Sequence, residues 1–252
     1  MRDVLNEVKK DACMKQLMVY FFAFNLLTLS AQKRLNDIDL HRIPQKKVRE
    51  FILQQQKNVY ELREIKPSCL KGEDLSDLNE LTYTYVIKDD IQTVWDQYFT
   101  TSPAESWNGE MISFGLLFSK RTNYIAYCDD HNFTCIDSGQ VFYVNLGILG
   151  GIYNLAVGLE VTDVNEKDKY FQFSYLKEGK SKGLQTIKLT ETDEGYTSIE
   201  HHTLFKSNSP FRDKILYPFF HKRAITEFHR NMEFIVLTNQ RKLRSQNRIP
   251  GN

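Results

Sequence analysis

The segment from Pro210 to Val236 constrains this 252-residue chain more than any other. It is an aromatic-rich stretch with helical spacing that comes after a long run of strand-like sequence. A single amphipathic helix closing a strand-rich domain must lay its apolar stripe on the sheet, since no other element remains to cover it. The stripe reads Phe211, Ile215, Phe219, Lys222, Ile225, His229, Met232 and Val236. Pro218 is expected to kink or divide it, because proline removes a backbone donor and crowds the preceding turn. A helix held against a sheet in this way encloses a pocket.

The sheet itself is legible as period-two alternation. Leu81, Tyr83, Tyr85 and Ile87 alternate with Thr82, Thr84, Val86 and Lys88 in a first strand. Asp89-Asp90 then caps the sequence IQTVWDQYFT, which places Ile91, Val94, Trp95, Tyr98 and Phe99 on one helical face. Met111 to Ser119 is apolar but too short to assign. Strands are expected at Tyr124–Cys128, Phe133–Ile136, Val141–Leu146, Leu155–Val164, Tyr170–Leu176, Gln185–Thr190 and Tyr196–Phe205. The separators are short and turn-like, as antiparallel hairpins require. Before the sheet, Asn36 to Ile65 is charge-dense and helical in pattern, with Pro44 opening it and Val48, Phe51, Ile52, Val59 and Leu62 recurring.

The N-terminus carries a further signal. Leu17 to Ser30 is almost wholly apolar, is preceded by Met14-Lys15-Gln16 and runs into Ser30-Ala31-Gln32. This is the pattern of a signal peptide starting at Met14 and cut after Ala31, with Met1 to Cys13 an over-extended start. The apolar run is shorter than the roughly 20 residues of a spanning helix, so cleavage is favoured over anchoring. A periplasmic or secreted protein is expected, with no spanning segment after cleavage. In an oxidising compartment Cys128 and Cys135, on either side of the polar turn Asp129 to Asn132, are expected to face each other across a hairpin and bond, leaving Cys69 over.

With 33 basic and 32 acidic residues the chain has a formal charge of +1, which gives no field for nucleic acid. The basic cluster Arg241, Lys242, Arg244 and Arg248 reads as a solvated tail. The spacings of zinc sites, HExxH, Gly-x-Ser-x-Gly and a P-loop are absent, so no metal or cofactor is expected.

The order strand, helix, irregular segment, antiparallel strands and long closing helix resembles the helix-grip superfamily, which includes START lipid-transfer domains, polyketide cyclases and birch-pollen-allergen-like proteins. The likeness covers Leu81 to Val236 and rests on element order, the helix DIQTVWDQYF bearing Trp95 and the closing helix. It implies an α+β fold in which a curved antiparallel sheet wraps a long C-terminal helix around an apolar cavity. The expected divisions are 1–31 for the leader, 32–79 for a helical extension, 80–237 for the helix-grip domain and 238–252 for the tail.

Such a cavity takes a hydrophobic small molecule or lipid. Its expected lining is Tyr83, Tyr85, Trp95, Trp107, Phe114, Tyr143, Phe171, Phe173, Phe219 and His229, since apolar pockets combine aromatic walls with a few polar groups. Two other readings compete with a binding protein. A cyclase- or hydratase-type enzyme would use His202 or His229 with Glu227 as a general base. A periplasmic interaction module would instead dock a partner on the N-terminal helix. His201 and His202 are neighbours in a strand, so one faces inward and the other outward.

Overall fold

The computed structural model describes residues 33–70 and 72–246. The expected leader from Met14 to Ala31 lies outside them. Helix α1 (Lys46–Gln55) is flanked by 3-10 turns at Leu35–Asp37, Leu40–Arg42 and Leu62–Glu64. Strand β1 (Asn79–Ile87) leads into α2 (Ile91–Thr100) and the single turn α3 (Pro103–Ser106). Strands β2 (Ile112–Ser119), β3 (Ile125–Tyr127), β4 (Gln140–Ile148), β5 (Tyr153–Asn165), β6 (Tyr170–Tyr175), β7 (Ser181–Glu191) and β8 (Thr197–Ser207) follow. A π-helical turn (Arg212–Leu216) opens the closing helix α4 (Tyr217–Gln246).

The eight strands form one antiparallel sheet in the order β1-β8-β7-β6-β5-β4-β2-β3. Strand β1 returns to pair with β8, from Asn79 opposite Phe205 to Ile87 opposite Thr197. Register shifts between Phe114 and Leu116 and between Val161 and Asp163 bend the sheet, as an extra residue in one strand does. The result is the α+β helix-grip arrangement, a curved sheet holding a long C-terminal helix.

Both faces of the sheet are covered. On the inner face Val94, Trp95 and Tyr98 of α2 and Ala224, Phe228, Met232 and Val236 of α4 pack with Phe142, Val161, Phe171 and Ile187. Asp90 caps α2, its carboxylate accepting from the Thr93 amide at 2.9 Å. On the outer face Leu35, Ile43, Val48, Ile52, Leu62 and Ile65 pack against Leu116, Phe118, Val141, Tyr143 and Leu176. Gly158 permits this contact: a Cβ there would lie 2.4 Å from the Leu176 side chain.

Four expectations change. The helical reading of residues 36–65 contracts to α1 and three 3-10 turns, with Val59 in irregular chain and Leu62 in the last of the turns. The 128–135 hairpin does not form. Arg42 holds Asp129 and Asp130 at 2.6 and 2.7 Å, and the Ile136 amide donates to Phe99 O, so the segment crosses to α2 instead of pairing back. Cys128 and Cys135 are accordingly free thiols, as is the buried Cys69. Pro218 does not split α4; the π turn just before it takes up the irregularity, and the Tyr217 amide bonds Arg212 O five residues back. The expected tail is helical as far as Gln246. Among the described residues no helix is long and apolar enough to cross a membrane.

Candidate functional site

The first half of α4 rests on β8 and β6 but stands off β4 and β5. Between it and strands β4 and β5 lies a cavity of about 610 Å³, within the roughly 300–1,000 Å³ typical of small-molecule sites. Val144 and Leu146 of β4 and Leu155, Val157 and Leu159 of β5 form its floor, while Phe220, Ala224 and Ile225 of α4 form its roof. Trp107 and Ile112 line it from the segment beside β2, Trp107 stacking on Phe228 at 4.3 Å. Leu149, Tyr153, Lys180, Arg212 and Leu216 also line it; of these Leu149 and Tyr153, like their neighbours Ile152, Phe211 and Ile215, are largely exposed. Gly150 and Gly151, with φ of +67° and +86°, make the tight turn between β4 and β5 that carries this apolar tip.

Three polar side chains in the cavity wall, Tyr175, Gln185 and Tyr217, belong to a chain of hydrogen bonds running back into the core. Tyr98 Oη meets His229 Nδ1 at 2.8 Å, and His229 Nε2 meets His201 Nδ1 at 2.9 Å. His201 Nε2 meets Gln185 Oε1 at 2.9 Å, Gln185 Nε2 donates to Tyr175 Oη at 2.8 Å, and the Tyr175 and Tyr217 hydroxyls bond each other. The proton positions follow from the ends. The Tyr98 hydroxyl is buried and has His229 Nδ1 as its sole acceptor among the described residues, so it donates there. His229 then carries its proton on Nε2 and donates to His201, which carries its own on Nε2 and donates to Gln185. All donors point one way, from α2 toward the cavity.

The chain is neutral. Burial pulls His229 down to about 3, with His221 adding a smaller repulsion, and pulls His201 well below the usual imidazole range. His221, which accepts from or donates to Thr203 Oγ1 at 3.0 Å, is also held at about 3 by burial. Desolvation keeps the phenols of Tyr98, Tyr175 and Tyr217 above their ordinary range. Tyr175, Gln185 and Tyr217 are the members of the chain that reach the cavity, and His221 lines it beside them.

Of the aromatics expected to line the pocket, Trp107 does so. Trp95, Phe114, Phe171 and Phe173 are on the inner face but in packed core, with Trp95 stacked on Phe171 at 4.4 Å. Tyr83 and Tyr85 of β1 meet α4 outside the cavity, Tyr83 under the Lys222 ammonium and Tyr85 stacked on His229 at 4.2 Å. Tyr143 is on the wrong side of the sheet: it faces outward and donates to Gln55 Oε1 at 2.7 Å. Strand β4 is buried on both faces, so its sequence shows no polar alternation to set the phase. Phe219 is 55% exposed, and its neighbour Phe220 takes the inward position.

The catalytic candidates separate. His202 faces outward and pairs with Glu80 at 2.8 Å, so His201 is the inward member of the pair. Glu227 accepts the Met111 and Ile112 amides at 3.0 and 3.3 Å and fastens α4 to the turn before β2. His229 has both ring nitrogens occupied. The sequence reading missed Tyr217, Tyr175 and Gln185. Their signal was available in part, since Tyr217, His221, Ala224 and Phe228 follow helical spacing one step round from the expected stripe.

No protein-family profile matches this sequence, and no curated protein does. Among solved structures, major latex-like protein 151 from Panax ginseng aligns with a TM-score of 0.47 at 15% identity, covering 64% of this chain and 98% of that one. A point mutant of norcoclaurine synthase from Thalictrum flavum, solved with a transition-state analogue, aligns with a TM-score of 0.47 at 11% identity, covering 65% of this chain and 96% of that one.

Proposed function

We propose that this chain is an exported binding protein for a hydrophobic small molecule or lipid, held between the sheet and α4. The observation that carries the reading is the cavity of about 610 Å³ with a predominantly aliphatic and aromatic wall. A void of that size in a folded protein forfeits packing contacts along its whole lining, and an apolar ligand restores them. The apolar residues exposed around Leu149 and Ile215 give such a ligand an entrance lined with its own kind of surface. Export rests on the sequence from Met14 to Ala31.

A cyclase- or hydratase-type enzyme finds less support, because His202 points away from the cavity and His229 is sealed on both nitrogens. Native mass spectrometry on protein purified from its own host tests the binding reading. The expected spectrum shows a mature chain beginning at Gln32 with one small molecule released on activation. A chain that carries no adduct and takes none up from a lipid extract contradicts it.

A further inference from the structure

The Tyr175 and Tyr217 side chains carry two hydroxyl hydrogens between them. One is consumed in the bond that joins the two oxygens. Gln185 approaches Tyr175 through its Nε2–H, so it supplies a third hydrogen and accepts none. One hydroxyl hydrogen therefore has no acceptor among the described residues, whichever tyrosine donates to the other. Both tyrosines line the cavity, so that hydrogen is available to whatever fills it.

The donor is held in place. The Tyr217 ring lies between Phe205, stacked at 3.7 Å and 8°, and His221, stacked at 5.0 Å and 21°. Behind the pair, the aligned bonds from Tyr98 through His229, His201 and Gln185 polarise it in one direction. Gln185 also limits what the chain can do. An amide donates through nitrogen and accepts through oxygen without exchanging a proton between them, so the run of histidines cannot refill a proton lost at the tyrosines. The arrangement suits binding rather than acid catalysis.

Most of the remaining cavity wall is apolar, and no cation contacts either tyrosine hydroxyl among the described residues. Arg212 and Lys180 also line the cavity, and one Arg212 Nη donates to the Lys180 carbonyl. The hydroxyl pair itself offers one neutral hydrogen and no charge, so it satisfies a neutral acceptor fully and a carboxylate only in part. Resting on the cavity as the binding site, we propose that the Tyr175–Tyr217 hydroxyl pair is its polar subsite. The ligand it selects is an apolar molecule that presents a neutral carbonyl oxygen to the hydroxyl pair.

The test uses the mature chain and three probes of equal length: a medium-chain methyl ketone, the alkane and the fatty acid. Binding is read by displacement of a neutral fluorescent apolar dye, in wild type and in the Tyr175→Phe/Tyr217→Phe double variant, which keeps both rings. Loss of one neutral hydrogen bond should weaken the ketone by about five- to tenfold while the alkane changes less than about twofold. Equal ketone affinity in the two proteins overturns the subsite but leaves the cavity reading intact. Failure of all three probes to bind wild type overturns the cavity reading itself. A fatty acid that binds wild type more tightly than the ketone, and loses more in the double variant, overturns the neutral carbonyl.

A second measurement needs no variant. The infrared carbonyl stretch of isotope-labelled ketone bound to wild type should fall below its frequency in hexane. A bound ketone with the hexane frequency overturns the proposal even where the double variant fails to fold.

Discussion

The two faces of the sheet solve the same problem in opposite ways. Outside, the N-terminal segment closes over β2, β4 and β5 with tight apolar packing, and several polar groups there are tied directly to the sheet. Tyr143 donates to Gln55, and Lys120 bridges the Ile65 carbonyl and Glu160, the latter at 2.6 Å. Inside, the far half of α4 packs as tightly, but the near half is lifted away from β4 and β5 over a cavity, with a neutral polar chain reaching its wall. Adjacent residues of one strand serve both ends: Tyr143 belongs to the filled face and Val144 to the open one. The contrast assigns stability to the outer face and ligand recognition to the inner, and each assignment can be broken separately.

Acid should have the largest effect, and it acts through the inner face. His201, His221 and His229 are buried and neutral, with folded values depressed below the unfolded value near 6.5. Below that pH the unfolded chain takes up protons that the folded chain refuses. Their neutral burial therefore costs nothing above about pH 7. As pH falls below 6.5, stability should decline by up to about 1.4 kcal/mol per pH unit for each histidine. Urea unfolding across a pH series reads this directly. A flat profile down to pH 5 contradicts the neutral chain.

Next in size is Ile52→Ala, which empties a fully buried site on the outer face. It should cost about 2–5 kcal/mol of unfolding free energy, read by denaturant midpoint, and leave dye binding by the folded protein unchanged. A loss of binding in the folded variant would show that the two faces are coupled.

The fold was legible because its signals are periodic and repeated. The Leu81 to Ile87 alternation, the Asp90 cap and the closing helix each fix an element locally, and their order implies the grip. Positions were lost where periodicity carries no phase. Strand β4 is apolar on both sides, and LYPFFHKRAITEFHR offers aromatic residues on several helical faces, so Tyr143 and Phe219 were placed inward. The 128–135 segment misled for another reason: a long-range partner, Arg42, captures Asp129 and Asp130, and no local pattern announces that. The polar chain was invisible for the same cause, since Tyr98, Tyr175, Gln185, His201, Tyr217 and His229 come from five elements.

The smallest change in stability should accompany the most direct test of the inner face. Ala224 is buried on α4 and looks into the cavity, so Ala224→Leu adds volume where space exists and should shift unfolding by less than about 1.5 kcal/mol. Titrating a neutral fluorescent apolar dye into wild type and this variant decides the matter. The account predicts one dye per wild-type chain and at least about tenfold weaker binding in a stably folded Ala224→Leu chain. Equal binding by both proteins would place the ligand site somewhere other than beneath α4.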